Sequence, residues 1–519
     1  MRPLFTIATP VWNTPLDVLR DTIKSVKRQS FTRWEWILVD DASTDPGVRP
    51  MLRAAAAGDR RIRVIERASN GHIAAASNDA VREATGEFLV LLDHDDTLAP
   101  RALTYVAKAI ADHPDADYIY SDEDKLSPEG RYYDPFRKPD WSPERLRCQN
   151  YASHLSVLRT SLVRGVGAFR PGFDGSQDHD LVLRVTEVAR RVVHIPEILY
   201  HWRVVPGSAA GQVDAKPYAW VAGLKAVREH LVRAGIGGTA DYGPIQGTYR
   251  IARNPLPGAM ASVIIPTRGG SSEVWGRSRV LVVDTVRSLL DKAGATPLEI
   301  VVVYDTATPP DVLERLRAMV PERLVLVPFH ESFSFSAKCN AGFVASSGNI
   351  VVLMNDDLDI VSEGFIDALV GPLGEDDVGM TGARLLFSDQ TIQHAGLSFS
   401  AKRLYHVFRG RVDEDPGPFC ALAVNREASG LTGACVALRR ETYRDVGGMS
   451  ETLPMNFNDV DFSYKVRHLG KRLVWLADAR AFHFESQTRK PVVNQWEADV
   501  VAARWQVPAY DVYLPELRT

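Results

Sequence analysis

Cysteine is scarce in this 519-residue chain: Cys148, Cys339, Cys420 and Cys435 lie far apart with no paired spacing. That pattern excludes a disulfide framework and a cysteine-rich zinc cluster. Also missing is any apolar run near the roughly 20 residues that cross a bilayer. Basic residues are not in excess either, with 61 Lys and Arg against 65 Asp and Glu, so nothing draws the chain onto nucleic acid. The start, Met1-Arg2-Pro3-Leu4-Phe5-Thr6-Ile7, lacks the charged, apolar and small-residue regions of a secretion signal. A cytoplasmic location is expected, with membrane contact at most peripheral. The phosphate-binding loop of nucleotide hydrolases and a His-Glu-x-x-His metalloprotease motif are absent as well.

What is present is a pattern stated twice. Phe88-Leu89-Val90-Leu91-Leu92 runs into Asp93-His94-Asp95-Asp96, and Ile350-Val351-Val352-Leu353-Met354 runs into Asn355-Asp356-Asp357. An apolar strand that ends in acids delivers carboxylates to the carboxyl edge of a parallel sheet, where such folds bind ligands. Hard oxygen ligands there suit Mg²⁺ or Mn²⁺, which in turn hold phosphates. Strand-like and helix-like segments alternate before each acidic run, which predicts an α/β fold with mainly parallel central sheets.

The halves can be put in register. Asp93 and Asn355 differ by 355 − 93 = 262, as do Asn78 and Asn340. Asp178-His179-Asp180-Leu181 then matches Asp459-Val460-Asp461-Phe462 at an offset of 281. A repeat of this length is a duplicated domain rather than a solenoid. The turn-rich Asn254-Pro255-Leu256-Pro257-Gly258 sets the boundary. Two domains follow, 1–257 with a helical and linking segment over about 215–257, and 258–519 with a helical tail.

In order, the first half carries Ala8-Thr9-Pro10-Val11-Trp12-Asn13, Val39-Asp40-Asp41-Ala42-Ser43, Asn70-Gly71 with Asn78, Asp93-His94-Asp95-Asp96 and Gln177-Asp178-His179-Asp180-Leu181. The second carries Ile264-Ile265-Pro266-Thr267, Val303-Tyr304-Asp305, Asn340-Ala341-Gly342, Asn355-Asp356-Asp357 and Asn458-Asp459-Val460-Asp461. In these stretches each half resembles the family 2 glycosyltransferases of the GT-A fold. The whole resembles two-domain bacterial enzymes that build O-antigen or capsular polysaccharide.

The resemblance implies inverting transfer from a nucleotide-diphosphate sugar, linked to UDP, dTDP or GDP, onto a glycan or lipid-linked saccharide. Asp178 and Asp459 would be the general bases, each also open to a plainer role as a helix N-terminal acid. Nucleotide-sugar contacts are expected from Thr9, Pro10, Asp41, Asn78 and Asp93, and from Thr267, Asp305, Lys338, Asn340 and Asp356. Mn²⁺ or Mg²⁺ would be held by Asp95 and His201 in the first domain and by Asp357 and His483 in the second. Those histidines sit one residue out of register, so a small insertion is expected between them. The second half has Asn355 in place of Asp93 and no close copy of Ser121-Asp122-Glu123-Asp124-Lys125. One active domain beside a glycan-binding or structural one is the alternative.

Overall fold

A computed structural model describes residues 2–204, 217–400, 403–484 and 494–514; the last five residues of the expected tail lie outside these. Contacts divide the chain into two compact units. The first comprises residues up to Gly235 with Ala240–Arg250, the second Ile236–Thr239 with the residues from Ile251 on.

In the first unit the strands are β1 (Phe5–Val11), β2 (Trp34–Asp40), β3 (Ile62–Glu66), β4 (Phe88–Leu91), β5 (Thr97–Leu98), β6 (Tyr118–Leu126), β7 (Tyr132–Phe136), β8 (Ser156–Arg159) and β9 (Val192–Arg203). They form one sheet in the order β3-β2-β1-β4-β8-β6-β9-β5, with β7 on β6. The β3-β2-β1-β4 half is parallel, and β8 joins both β4 and β6 antiparallel. β1 and β4 are almost wholly apolar and buried, as strands covered on both faces must be. The helix Leu16–Lys27 follows β1; its Asp17 in the first turn and Lys24 and Lys27 in the last complement the helix dipole.

The hairpin of β10 (Gly238–Tyr242) and β11 (Tyr249–Arg253) straddles the division. In the second unit come β12 (Ala261–Thr267), β13 (Ser271–Val274), β14 (Arg277–Val280), β15 (Leu298–Asp305), β16 (Leu324–Phe329), β17 (Ile350–Met354), β18 (Leu358–Ile360), β19 (Val378–Leu386), β20 (Ile392–His394), β21 (Leu397–Ser400), β22 (Arg403–His406), β23 (Arg426–Glu427), β24 (Cys435–Arg439) and β25 (Arg472–His483). The order β16-β15-β12-β17-β24-β19-β25-β18 repeats that of the first unit.

The duplication extends to single hydrogen bonds. Thr22 Oγ1 donates to the carbonyls of His94 and Asp96, and Thr285 Oγ1 to those of Asp356 and Leu358. Gly86 N donates to Thr6 Oγ1 and Gly348 N to Ser262 Oγ. A Cβ at either glycine would meet backbone atoms of the neighbouring strand at under 3 Å, so both positions need glycine.

Paired registers fix which residues correspond. Glu123 faces Tyr200 and Asp124 faces His201 across β6 and β9, whereas Leu385 faces Ala481 and Leu386 faces Phe482 across β19 and β25. The counterpart of His201 is therefore Phe482, and that of His483 is Trp202. Leu91 pairs with Ser156 and Leu353 with Val436, which sets His154 opposite Ala434.

Candidate active site

In the first unit, β4 ends and the Leu92–Asp96 loop turns back under the end of β1, where Leu92 N donates to Ala8 O at 3.2 Å. Thr22 holds this loop from below, at 3.1 and 2.8 Å from its carbonyls. Asp96 is buried and accepts from Tyr200 Oη at 2.5 Å and Arg203 N at 2.7 Å. Asp93, Asp96 and His154 bring one ligand atom each within 4.8 Å of one another.

His154 is held from behind. Its Nδ1 lies 3.2 Å from Glu123 Oε2, leaving Nε2 turned toward Asp93 at 4.0 Å. Its ring stacks on Tyr200 at 4.6 Å. Glu123 in turn receives the fully buried Lys138 Nζ at 2.9 Å. A carboxylate on one imidazole nitrogen, with the other facing acids, is the arrangement of a metal-ligating histidine.

Burial foremost, then the charges of Asp95 and Asp178, raises the Asp93 pKa against the pull of His154. Asp96 is pushed up well beyond the usual carboxylate range by burial and by Asp95 and Asp93. Burial opposes protonation of His154, but its bond to Glu123 and the charges of Glu123, Asp93 and Asp96 outweigh it and hold the pKa at about 9. Among the described residues no lysine or arginine ion-pairs with the Asp93, Asp95 or Asp96 side chain. Three neighbouring carboxylates without a lysine or arginine partner suit a divalent cation.

Asp178 starts the helix Gln177–Thr186. Its Oδ2 accepts from Asn150 Nδ2 at 2.8 Å, and it lies close enough to Asp93 to raise that residue's pKa. The candidate base and the acidic loop thus share one corner. Two residues on, Asp180 is fully buried and bonded by both Arg170 and Arg184.

His201 sits on the other side of its strand: Nδ1 bonds Asp124 Oδ1 at 2.6 Å and its ring packs on Tyr132 at 4.2 Å. The histidine beside the acids is His154, which the repeat concealed because Ala434 stands opposite it. Asp95, with its Oδ1 4.0 Å from His94 Nδ1, borders the cluster of Asp93, Asp96 and His154, and its charge helps to raise the pKa values of Asp93 and Asp96. Asn78 spends its amide on the backbone of Phe169, donating at 2.8 Å and accepting at 2.9 Å. Asn340 does the same with Met449, at 3.0 Å in each direction. Both clamp a turn rather than face the loop. Thr9 is buried within the sheet, where its Oγ1 accepts from Trp36 Nε1 at 3.0 Å. Pro10 lies half-buried near the exit of β1. Asp41, just past β2, accepts from Gly71 N at 2.9 Å and pairs with Arg67.

The second unit builds its corner with other residues. His483 Nε2 stands 3.1 Å from Asp357 Oδ1 and 3.1 Å from Asn355 Nδ2, while Nδ1 bonds Gln393 Oε1 at 2.6 Å. Apart from His483, the buried Asp357 Oδ1 has no hydrogen-bond partner among the described residues; an oxygen so placed fits a cation ligand. Asp356 accepts from Thr267 Oγ1 at 2.6 Å. Burial and then the charge of Asp357 push it up to about 7, against that bond and Lys338. Lys338 is buried, pairs with Asp305 and donates to Thr267 O at 2.8 Å. Asp459, in the first turn of the helix Asn458–His468, accepts from Gly433 N at 3.4 Å. The next residue, Ala434, accepts from Asn355 N at 2.9 Å, so base and acidic loop again meet.

Glu123, Lys138 and Gln393 were not singled out in the sequence as site residues. Each acts through a histidine or carboxylate brought to it by strand pairing.

This geometry has relatives. The chain is 39% identical over 98% of its length to "Uncharacterized protein y4gI" of Sinorhizobium fredii, and spans 57% of that protein. It is 34% identical over 99% of its length to "O-antigen biosynthesis protein RfbC" of Myxococcus xanthus, spanning 40%. The chain thus covers only about half the length of these curated relatives. A distant likeness links 45% of it to 67% of Staphylococcus aureus TarS 1–349 in complex with UDP-GlcNAc, at 18% identity and a TM-score of 0.37. Residues 6–164 match the model "Glycosyl transferase family 2" and residues 257–506 the model "Glycosyltransferase like family 2". With one such domain in each half, the chain belongs to the family 2 glycosyltransferases.

Proposed function

We propose that each unit transfers a sugar, with inversion, from a nucleoside-diphosphate donor to an acceptor hydroxyl of a growing bacterial surface glycan. One observation carries this reading: in both units an acidic loop, a histidine and a helix-start aspartate converge at the carboxyl edge of the sheet. Asp93, Asp96 and His154 would hold Mn²⁺ or Mg²⁺ in the first unit, and Asp357 and His483 in the second. When bound, such a cation offsets the charge that grows on the departing diphosphate. Asp178 and Asp459 take the proton of the acceptor hydroxyl, the first held by Asn150 and the second by the N–H groups of Gly433 and Val460. One base per site favours direct displacement. Asp41 and Asp305 lie at the ends of β2 and β15, suited to receive the nucleoside. The name of the Myxococcus relative supports a polysaccharide acceptor.

A second reading leaves the second unit as a binding module, favoured by Asn355 where the first unit has Asp93. Incubating the full chain with a panel of nucleotide sugars and saccharide acceptors tests both. Two transfers, one lost in Asp178→Asn and the other in Asp459→Asn, are expected. A single transfer indifferent to Asp459→Asn selects the second reading, and transfer that survives both substitutions refutes the assignment.

A further inference from the structure

We propose that the β13–β14 hairpin is a clamp that positions His483, with Trp275 as its contact residue; this rests on the reading of Asp357 and His483 as cation ligands. The hairpin has no counterpart in the first unit. Phe5 pairs with Phe88 and Ala261 with Ile350, so β1 and β12 correspond at an offset of 256. Thr22 and Thr285, which grip the equivalent loop carbonyls, correspond at 263. Seven extra residues (263 − 256 = 7) therefore lie between β12 and the helix Leu281–Lys292, where the hairpin is found.

Its tip is seated on the strand end that carries His483. The Trp275 ring stands edge-on to Phe482 at 5.0 Å and to Phe484 at 5.1 Å, the two residues flanking the histidine. Trp275 Nε1 donates to Ser388 O at 2.9 Å. Arg279 ties the second strand of the hairpin to Asp359 at 2.8 Å, with its guanidinium 5.5 Å from the Phe484 ring. Trp275 itself adopts φ 51°, a left-handed conformation costly for a bulky side chain.

The first unit shows why a clamp is needed. There the counterpart of Phe484 is Arg203, whose Nε donates to Asp95 O at 2.8 Å and whose backbone N donates to Asp96. That side chain binds strand end to acidic loop by itself. Phe484 retains only the backbone bond, to Asp357 O at 3.0 Å. The hairpin supplies the missing restraint from outside, and with it a guanidinium, Arg279.

The test titrates Mn²⁺ alone into the full chain by calorimetry, in an Asp93→Asn, His154→Ala background that silences the first site. Trp275→Ala is expected to weaken binding at the second site about tenfold, the loss usual when a ligand's support is removed. Arg279→Ala should act in the same direction, and Trp275→Phe should restore most of the affinity. The cation-free melting point should barely move, since Trp275 is 48% exposed. If His483→Ala abolishes binding but Trp275→Ala leaves it intact, the clamp is refuted. If both Trp275→Ala and Trp275→Phe lower the cation-free melting point by many degrees, the hairpin is general scaffolding and the proposal fails. If His483→Ala itself leaves Mn²⁺ binding unchanged, the cation assignment falls first.

Discussion

Asp178 and Asp180 sit two residues apart on one helix, yet substituting asparagine at each should have opposite consequences. Asp178 has one side-chain donor, Asn150 at 2.8 Å, and an asparagine can still offer it an oxygen. The losses are a charge at a helix start, about 0.5 kcal/mol, and a charge-assisted hydrogen bond weakened by about 1 kcal/mol. Stability should therefore fall by no more than roughly 2 kcal/mol. Transfer by the first unit should fall about 10²- to 10⁴-fold, the worth of a general base. Asp180 is the reverse case: fully buried, it accepts from Arg184 Nε at 3.0 Å and Nη2 at 2.7 Å and from Arg170 Nε at 3.1 Å. Removing its charge leaves the buried Arg184 without its counter-ion, although Arg170 keeps Glu229 at 2.7 Å, and a cost of about 3 kcal/mol is expected. The pH dependence follows in sign. Arg170 and Arg184 outweigh burial and hold the Asp180 pKa below its ordinary value. Its stabilisation is present above the unfolded carboxylate pKa and lost as pH falls through the lower, folded one. Asp180→Asn should flatten that acid limb. Urea melts at pH 7 and pH 3 read the stabilities, and radiolabelled sugar transfer reads the chemistry. Asp178→Asn protein that melts as the parent does and still transfers at the parental rate would refute the base assignment.

Mn²⁺ should raise the melting temperature of the full chain by mass action. That rise should shrink in His154→Ala and persist in His201→Ala; calorimetric scanning of the three proteins decides whether the histidine is correctly placed. Thr9→Val should leave Trp36 Nε1 without its acceptor and cost roughly 1–3 kcal/mol, with no change in nucleotide affinity measured by titration of a nucleoside diphosphate. Glu123→Gln should weaken Mn²⁺ binding at the first site about tenfold by loosening His154, and equal affinity in calorimetry would contradict the support drawn from it.

The parallel core was legible because buried strands leave unbroken apolar runs: Phe88 to Leu92 and Ile350 to Met354 end at β4 and β17 within a residue. The acidic loops and the helix-start aspartates were legible for the same reason, being polar residues at the ends of apolar segments. Of the histidines, His483 was legible and His154 was not. The β6–β9 register shifts between Ser121 and Asp122 and again between Asp122 and Glu123, and the β19–β25 register shifts at two other places. A slip of one residue sends a side chain to the opposite face of the sheet. His201 and His483, alike in flanking sequence, stand one residue apart in register, 483 − 201 = 282 against 281 at Asp178 and Asp459, and so point to different sides. Thr9 lies inside β1, which runs on to Val11.

The two units differ around their histidines and agree in the scaffold beneath the acidic loop. Both keep the threonine under the acidic loop, the glycine against the first strand, the asparagine clamp, and a buried acid two residues past the helix-start aspartate. Three acid–histidine pairs of the first unit, Asp122 with His194, Glu123 with His154 and Asp124 with His201, are replaced in the second as pairs. Arg384 and Trp475 stand for the first, Leu385 and Ala434 for the second, Leu386 and Phe482 for the third. Losing only one partner would leave a buried charge or imidazole uncompensated, at a cost of several kcal/mol, which explains why both change together. The second unit then regains a histidine at the acidic loop from a position that is tryptophan in the first, and backs it with the amide of Gln393 rather than a carboxylate. An amide raises imidazole basicity less than a carboxylate does, so the second site should hold its cation more weakly. Two sites of unequal cation strength, walled by different side chains, are what a chain needs if its halves act on different sugars or linkages.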